Sequence, residues 1–352
     1  MHLFSPLTQR SLTLRNRIVV SPMCQYSVPD GVPDDWHLVH LGSRAVGGAA
    51  VVIAEATAVE PRGRISPADT GIWNDAQRDA WAPVARFIAE QGAVPGIQLA
   101  HAGRKGSTAA PWDGGKAVAP GAGGWTPVAP GAMAYADDYP QPEALDAAGI
   151  RAVIDAFVAA ARRAHDAGFR LIELHAAHGY LLHQFLSPLS NRRDDGYGGS
   201  LENRMRLTLE VTAAVRAAWP AELPMWIRIS ATDWAEGGWD LTQSLALARD
   251  LKRLGVDLID VSSGGLTAAQ KITPGPGYQV PFAETIRREA GIATGALGMI
   301  TEPAQAETIL ASGQADVVIM ARELLRDPYF PRRAAKALGV TIPTPRQYLR
   351  AW

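Results

Sequence analysis

Cysteine is nearly absent from this sequence of 352 residues, in which Cys24 is the only one. A single thiol excludes an internal disulfide, an iron–sulfur cluster and a cysteine-rich zinc site. Long apolar runs are also missing, because no stretch approaches the ~18 residues that a membrane span needs. The N-terminus lacks the basic start and long apolar segment of a secretory signal, so we expect a cytoplasmic protein.

An excess of charge of either sign is the third absence. The sequence has 34 basic and 35 acidic residues, which gives a formal net charge of −1. Such a balanced chain offers no overall field that would attract nucleic acid or anionic lipid. We therefore expect neither nucleic acid nor a membrane as a partner, and local groups would have to hold any anionic ligand.

Short, continuous apolar runs recur along the chain, with helical patterns between them. Runs without polar alternation are typical of parallel strands that are covered on both faces. Three intervening segments have apolar residues at helical spacing, namely 146–167, 200–219 and 242–254, and the first and third stop at Gly168 and Gly255. The eight candidate strands are residues 17–20, 50–54, 94–99, 169–174, 225–229, 258–261, 295–298 and 316–320.

These repeated units predict a (β/α)8 TIM barrel that forms a single domain over residues 1–352. An open, doubly wound sheet is the competing fold, and the number of strands does not exclude it. The polar residues favour the barrel because they follow most of the strands. A closed ring brings all of these strand ends to one pocket.

Three segments lie outside the repeat. We expect the start of the chain to form an N-terminal hairpin cap. Residues 107–142, after the third strand, are rich in Gly, Pro, Ala and Trp, and we predict that they form a rim or lid over the pocket. The tail, residues 343–352, ends in aromatic and cationic side chains, and we expect it to dock on a neighbouring subunit.

Two histidines and a tyrosine stand at the end of the fourth candidate strand: His175, His178 and Tyr180. The histidines could be metal ligands, hydrogen-bond donors to a ligand, or structural residues. Metal is the weakest alternative, because the chain supplies no obvious third ligand and no set of thiolates. Two imidazoles aimed at one point suit a carbonyl or phenolate oxygen. Tyr180 is either a proton donor to a carbanion-like centre or an amphipathic rim residue.

Two arginines near strand ends indicate anion binding. Arg228 interrupts an apolar run, so it must reach solvent or meet an anion, and we expect it to face an anionic ligand. Gly298, Ala321 and Arg322 follow the seventh and eighth strands, where barrels often bind phosphate. Arg322 could neutralise such a phosphate, and the alternative for this residue is a surface salt bridge.

The run His175-Ala-Ala-His178-Gly-Tyr180, together with SNRRDDGYGGSLENR at 190–204, closely resembles the signature of the old yellow enzyme family of flavin-dependent ene-reductases. The resemblance covers nearly the whole chain, through residues 4–7, 16–23, 98–105 and 321–328. A cysteine at position 24 and a tyrosine at position 26 are similar to the bacterial thermophilic-like class of this family.

The resemblance implies an FMN enzyme that takes hydride from NADPH or NADH in a ping-pong cycle. It implies reduction of the activated C=C bond of α,β-unsaturated carbonyl or nitro compounds by hydride transfer from flavin N5. His175 and His178 would bind the carbonyl oxygen, Tyr180 would protonate the α-carbon, Tyr26 would contact the substrate, and Cys24 would tune the flavin. The implied cofactor-binding positions are Ser21, Pro22, Met23, Cys24, Ala56, Gln98, Arg228, Gly298, Ala321 and Arg322, and no metal is expected.

The resemblance also implies that Arg350 enters the site of a neighbouring protomer. We therefore expect a homodimer or homotetramer that shares its active sites through Arg350 and Trp352. Two other functions remain open from the residues. One is an FMN amine demethylase-like oxidoreductase, which needs no cluster-binding cysteines, and the other is a flavin-free barrel lyase or aldolase that uses the histidines and a lysine.

Overall fold

The computed structural model describes all 352 residues. Twelve strands are present, of which β1 pairs with β2 as an antiparallel hairpin and β6 pairs with β7. The remaining eight, β3 to β5 and β8 to β12, form a closed parallel barrel in chain order. The strands are β1 (Leu7–Gln9), β2 (Leu12–Leu14), β3 (Ile18–Val20), β4 (Val51–Ala58), β5 (Val94–Ala100), β6 (Val128–Ala129), β7 (Glu143–Ala144), β8 (Leu171–Ala176), β9 (Met225–Ser230), β10 (Leu258–Ser262), β11 (Ala293–Ala296) and β12 (Val317–Met320).

The predicted barrel is confirmed, and all eight predicted strands are present with shifted ends. β4 continues past the predicted residue 54, because the chain absorbs the polar Glu55 in a register shift between Ala54 and Ala56. β11 begins two residues before the predicted 295–298, since the small residues at its start pair with β10 although they form no apolar run. Gly298 consequently lies beyond the strand end.

Helices connect the strands, and several begin at a side chain that caps their free N–H groups. Asp146, Ser200 and Asp240 each accept a hydrogen bond from the backbone N–H three residues later, which favours a helix start at these points. The helices that follow are α3, α5 and α6, and they confirm the three predicted ones. The full set is α1 (Asp35–Val46), α2 (Asp75–Glu90), α3 (Ala147–Asp166), α4 (Leu181–Leu186), α5 (Leu201–Ala218), α6 (Leu241–Arg253), α7 (Val280–Ala290), α8 (Pro303–Ala311), α9 (Arg322–Arg326) and α10 (Phe330–Ala337).

None of these helices has both the length and the apolar character that crossing a membrane requires.

Every second side chain of the three adjacent strands β8, β9 and β10 points into the barrel, and together these side chains form three layers. The lowest layer is apolar, the middle layer is charged, and the upper layer carries histidine and serine. All nine side chains are buried, and the residues between them, such as Ile172 and Ile227, pack outward into the main core with the helices. From bottom to top the layers read Leu171, Glu173 and His175 on β8; Trp226, Arg228 and Ser230 on β9; and Leu258, Asp260 and Ser262 on β10.

The hairpin β1–β2 closes the lower end of the barrel, as the sequence predicts. Leu14 belongs to the same buried cluster as the apolar interior layer. The indole Nε1 of Trp226 donates a hydrogen bond of 2.8 Å to Gln9 Oε1, and Arg10 bonds Asp257 just before β10. This end of the barrel is therefore covered and dry.

Residues 107–142 follow β5 and contain no long helix, in agreement with their composition. Trp112 lies edge-on to Tyr26, with 5.7 Å between ring centroids. Tyr135 lies 4.7 Å from the Lys105 ammonium, and Trp125 Nε1 donates to the Arg62 carbonyl. These contacts attach the segment to the upper end of the barrel, and its action as a lid stays a prediction.

Candidate active site

His175, His178 and Tyr180 come together at the upper end of β8. The ring centroid of His175 lies 5.2 Å from that of His178 and 5.0 Å from that of Tyr180, and both pairs are edge-to-face. Nδ1 of His175 accepts a long hydrogen bond from Ala177 N–H, which places the proton of the neutral ring on Nε2. His178 Nε2 lies 2.7 Å from Ser262 Oγ, so its Nδ1 is left for another partner.

Tight backbone packing holds this cluster in place. His178 has a left-handed backbone (φ 59°), an uncommon conformation for a residue with a Cβ, and its N–H donates to Ser230 Oγ at 2.9 Å. A side chain at Gly179 would overlap the Gly265 carbonyl. Lys105 Nζ donates to both the His178 and Gly265 carbonyls, at 2.9 and 3.0 Å. The turn after β8 is therefore joined directly to the turn after β10.

Both histidines are neutral at physiological pH. Burial lowers the pKa of each ring well below its ordinary value, and the positive charge of Arg228 acts in the same direction on both. Burial also lowers the pKa of Lys105 to about 8. A neutral imidazole still has one N–H donor, so each ring can donate a hydrogen bond to a carbonyl oxygen.

Cys24 and Tyr26 lie beside this cluster on the segment that follows β3. The Cys24 thiol and the Tyr26 hydroxyl are close enough to affect each other's pKa. Burial raises the pKa of the Cys24 thiol well above its usual range, and the nearby Asp69 and Glu55 reinforce the shift. Burial likewise raises the pKa of Tyr26 and Tyr180. All three groups therefore keep their protons at neutral pH.

A cavity of about 400 Å³ opens next to the histidines. It brings together seven of the predicted site residues: Ser21, Pro22, His178, Arg228, Gly298, Ala321 and Arg322. The other predicted residues of the barrel, Met23, Cys24, Tyr26, Ala56, Gln98, His175 and Tyr180, do not line this cavity.

The cavity has one free cation among its lining residues. The Arg322 guanidinium forms no hydrogen bond and no ion pair within the chain, so the alternative of a surface salt bridge is wrong for this structure. Arg326, which also lines the cavity, is instead paired with Glu323 at 2.7 Å. A free guanidinium at the rim of a concave site suits a phosphate group.

Arg228 meets anions, but they belong to the protein. Its Nε donates to Asp260 Oδ2 at 2.7 Å, its Nη2 donates to Ser21 Oγ at 2.9 Å, and Glu173 Oε1 lies 3.6 Å from Nε. Asp260 therefore already compensates this buried charge within the chain, and the expectation that Arg228 also faces an anionic ligand stays a prediction. Gln98 Nε2 donates to Glu173 Oε1 at 2.8 Å, which makes Gln98 part of the same polar layer.

The comparisons with known proteins agree on one family. A sequence profile of the NADH:flavin oxidoreductase / NADH oxidase family matches residues 2–340. The chain belongs to this family. It is 51% identical over 352 residues to an NADPH dehydrogenase of Geobacillus sp. (strain WCH70), covering 99% of this chain and 98% of that protein. It is 50% identical over 354 residues to an NADPH dehydrogenase of Listeria monocytogenes serovar 1/2a, covering 99% of both.

Solved structures of the same family share the fold. Morphinone reductase superposes with a TM-score of 0.80 at 31% identity, over 97% of this chain and 91% of that chain. The old yellow enzyme homologue of Zymomonas mobilis superposes with a TM-score of 0.81 at 27% identity, over 99% and 98% of the two chains. The chain is thus an FMN-linked oxidoreductase of the old yellow enzyme family, and the alternative of a flavin-free lyase is wrong.

The residues around the cavity fit the FMN that this family uses. The unpaired Arg322 suits the phosphate dianion, and the apolar Pro22, Leu297 and Met320 suit a flat ring. Hydroxyl and guanidinium donors at Ser21 and Arg228 face the same space. A cavity with mainly pre-formed walls and a few converging polar groups is typical of cofactor sites.

The tail packs on its own chain in this structure. The Trp352 ring lies 3.9 Å from the Arg332 guanidinium and 5.3 Å from the Tyr329 and Tyr348 rings. None of these contacts involves the cavity or the histidine cluster, and the Arg350 side chain has no hydrogen-bond partner. The structure therefore does not bring Arg350 to the active site of its own chain.

Sequence reasoning missed Glu173, Asp260 and Lys105 as parts of this site. The first two had a signal, because each is a charged residue two positions before the polar end of a buried strand, as is Arg228 on the strand between them. Lys105 lies in the matched segment 98–105, but nothing in its spacing indicated that it reaches the turns after β8 and β10.

Proposed function

We propose that this enzyme reduces the activated C=C bond of α,β-unsaturated carbonyl or nitro compounds with NADPH as electron donor. The observation that carries the proposal is the convergence of two neutral imidazoles and a protonated phenol beside the cofactor cavity. Two donors and one proton source are what polarisation of a carbonyl and protonation of its α-carbon require. The name NADPH dehydrogenase, carried by relatives at about half identity, supports the choice of donor.

The histidines would bind the substrate oxygen. His175 would donate from Nε2, since its Nδ1 accepts the Ala177 N–H, and His178 would donate from Nδ1, since Ser262 occupies its Nε2. Hydrogen bonds to the oxygen withdraw electron density from the alkene, so the β-carbon becomes electrophilic. Both hydrogen bonds strengthen as the oxygen becomes partly anionic, so the rings would stabilise the transition state more than the bound substrate.

Tyr180 would deliver the proton to the α-carbon. Its raised pKa keeps the phenol protonated until a strongly basic carbon is within reach. Tyr26 would contact the substrate from the segment after β3, and the Cys24 thiol would act on the cofactor as a neutral hydrogen-bonding group.

FMN, when bound, supplies the hydride that it has received from the nicotinamide. The chain would hold it through the residues that the family resemblance implies, with Arg322 on the phosphate and Arg228 at the polar edge of the ring. The remaining holders would be Ser21, Pro22, Met23, Cys24, Ala56, Gln98, Gly298 and Ala321.

The experiment is a substrate panel on the purified yellow protein. We expect NADPH to bleach the flavin and an enone, a maleimide or a nitroalkene to restore the colour, with one molecule of the saturated carbonyl compound, succinimide or nitroalkane formed per NADPH. Oxidative demethylation of an amine without any alkene reduction would instead support the amine demethylase alternative. A protein that stays colourless after FMN addition would contradict both.

We also propose that paired subunits share active sites through Arg350 and Trp352. The support is the exposed end of the tail, where Leu349 is 60% and Trp352 49% exposed. Removal of residues 348–352 should reduce both activity and assembly, measured by turnover and by light scattering. A truncated enzyme that keeps both would contradict the shared site.

A further inference from the structure

The charged middle layer of the barrel contains more acid than base. Glu173, Arg228 and Asp260 lie on adjacent strands, and both carboxylates are 0% exposed. One oxygen of each acid is satisfied: Gln98 donates to Glu173 Oε1, and Arg228 donates to Asp260 Oδ2. The other two oxygens, Glu173 Oε2 and Asp260 Oδ1, are buried without any hydrogen-bond donor.

No other charge in the surroundings balances the second carboxylate. The groups that act on the two acids are Gln98 from β5 and Arg228 from β9, and the titratable groups around Arg228 are His175, in the layer above on β8, and Cys24 beyond β3. Gln98 is neutral, and the pKa directions of His175 and Cys24 keep both of those uncharged. Two ionised acids beside one arginine would leave a net negative charge in a dry interior, which is costly.

One proton between the two unpartnered oxygens would remove both the missing hydrogen bonds and the excess negative charge. It gives each oxygen a hydrogen bond, and it leaves one anion for one guanidinium. Glu173 and Asp260 approach the same Arg228 Nε, at 3.6 and 2.7 Å, and two buried acids beside one cation favour a state in which only one of them is ionised. Burial and the adjacent Asp260 raise the pKa of Glu173 to about 8, so Glu173 is the acid that holds the proton.

We propose that Glu173 is a protonated positioning residue, which donates from Oε2 to Asp260 Oδ1 and thereby keeps Arg228 in a one-to-one pair beside the cofactor cavity. The layer is then neutral overall. An ionised Glu173 would add one negative charge below the place where the FMN ring is expected, and this charge would oppose any negative charge that develops there. Only this consequence for the cofactor rests on the proposed function.

The first test is infrared spectroscopy of the FMN-loaded protein at pH 7. We expect a protonated-carboxyl C=O band that shifts in D2O and disappears in Glu173→Gln, because the amide replaces the acid and still donates to Asp260. Asp260→Asn should also remove the band, because Glu173 would then ionise and pair with Arg228. The matched control is Glu60→Gln, since the pKa of Glu60 is lowered to about 2 beside His101 and Arg62 and its loss should leave the band unchanged.

The second test is the flavin midpoint potential as a function of pH. Glu173→Gln should match the wild type at pH 7. Above about pH 8 the wild-type potential should fall below that of the variant, because Glu173 loses its proton and the variant has none to lose. Burial raises the pKa of Asp69 to about 7, so Asp69 also contributes a band and the difference spectrum of wild type minus variant is the readout. A difference spectrum without a protonated-carboxyl band for either folded variant, or a wild-type-minus-variant difference in potential that is the same at all pH values, would overturn the proposal. Neither the infrared band nor the midpoint potential depends on an alkene substrate, so these tests can succeed or fail independently of the substrate panel that tests the proposed function.

Discussion

The two ends of the barrel interior differ in chemistry although the same strands build both. At the lower end, Leu171, Trp226 and Leu258 form an apolar layer under the hairpin β1–β2. Four residues further along the same strands, His175, Ser230 and Ser262 face the active site. In barrel enzymes the lower face serves stability and the upper face carries chemistry. Four residues along a strand thus separate side chains whose removal should lower the stability of the enzyme from side chains whose removal should lower only its activity.

Removal of a lower-layer side chain should have the largest effect, and the effect should be on stability. Trp226 is fully buried, so Trp226→Ala should lower the free energy of unfolding by about 3–5 kcal/mol through the cavity that it leaves. Urea denaturation measures this change. The matched control is Trp36→Ala, because Trp36 is 54% exposed, and it should cost less than ~1 kcal/mol. Equal losses of stability in the two variants would contradict the structural role of the lower layer.

Removal of the proton donor at the upper end of the barrel should instead affect turnover. Tyr180→Phe should reduce the rate of alkene reduction by roughly 10²-fold, at the lower end of what a positioned acid contributes. Reduction of the flavin by NADPH, measured in a separate half-reaction, should be unchanged, and so should the urea midpoint. Tyr197→Phe is the control, since Tyr197 bonds Glu210 away from the site. An alkene half-reaction that survives in Tyr180→Phe would show that another group supplies the proton.

Removal of the free cation at the cavity should weaken cofactor binding. Arg322→Gln should raise the dissociation constant of FMN about 10-fold, as expected for the loss of a charged hydrogen bond of about 1.5 kcal/mol. Fluorescence titration of the apoprotein with FMN measures it. Arg326→Gln removes a cation that lines the same cavity but is already paired with Glu323, so its effect should be smaller. A larger rise of the FMN dissociation constant in Arg326→Gln than in Arg322→Gln would show that Arg322 does not hold the phosphate.

The smallest expected effect is that of acid on ligand binding. Because burial lowers the pKa of His175 and His178 in the folded protein, neither should gain a proton as the pH falls through about 6.5, the ordinary value for histidine. The dissociation constant of a non-ionising enone, read from the flavin spectrum, should stay constant between pH 7.5 and pH 5.5. A strong change near pH 6.5 would show that the rings titrate freely.

The same pKa shifts predict the sign of a stability effect. Below about pH 6.5 the unfolded chain binds protons at these histidines and the folded protein does not, so their contribution should reduce stability as the pH falls. Glu173 acts in the opposite direction, because its raised pKa makes its contribution largest in acid and removes it as the pH rises through about 8. The urea midpoints of wild type and Glu173→Gln, measured across pH, separate the two contributions, because the variant retains that of the histidines and lacks that of Glu173.

Much of the fold could be predicted because it depends on local patterns. Buried parallel strands consist of continuous apolar residues, so the runs at 225–229 and 258–261 could be located almost to the residue. α3 and α6 could be placed because their capping acids and terminal glycines are short-range signals. β11 was placed two residues late, since Ala293 and Thr294 pair with a neighbour that no local pattern identifies.

Most residues of the candidate site could be predicted from the sequence, but the partners with which they form hydrogen bonds and ion pairs could not. The sequence located Arg228 and predicted a ligand beside it, but it did not reveal that Asp260 on the next strand pairs with it as well. Which residue lies beside Arg228 depends on strand register, and register is set by the closed sheet rather than by the neighbours in the chain.

By itself, the sequence determined the eightfold repeat, the family motifs and the presence of His175, His178 and Tyr180 at a strand end, because these depend on residue types and short spacings. Only the tertiary structure decided which polar groups neutralise each other. It paired Arg228 with Asp260, left Arg322 free, and left Glu173 and Asp260 each with one unpartnered oxygen. The reason is that a buried charge is compensated through space, by residues that lie far apart in the chain and that meet only when the barrel closes.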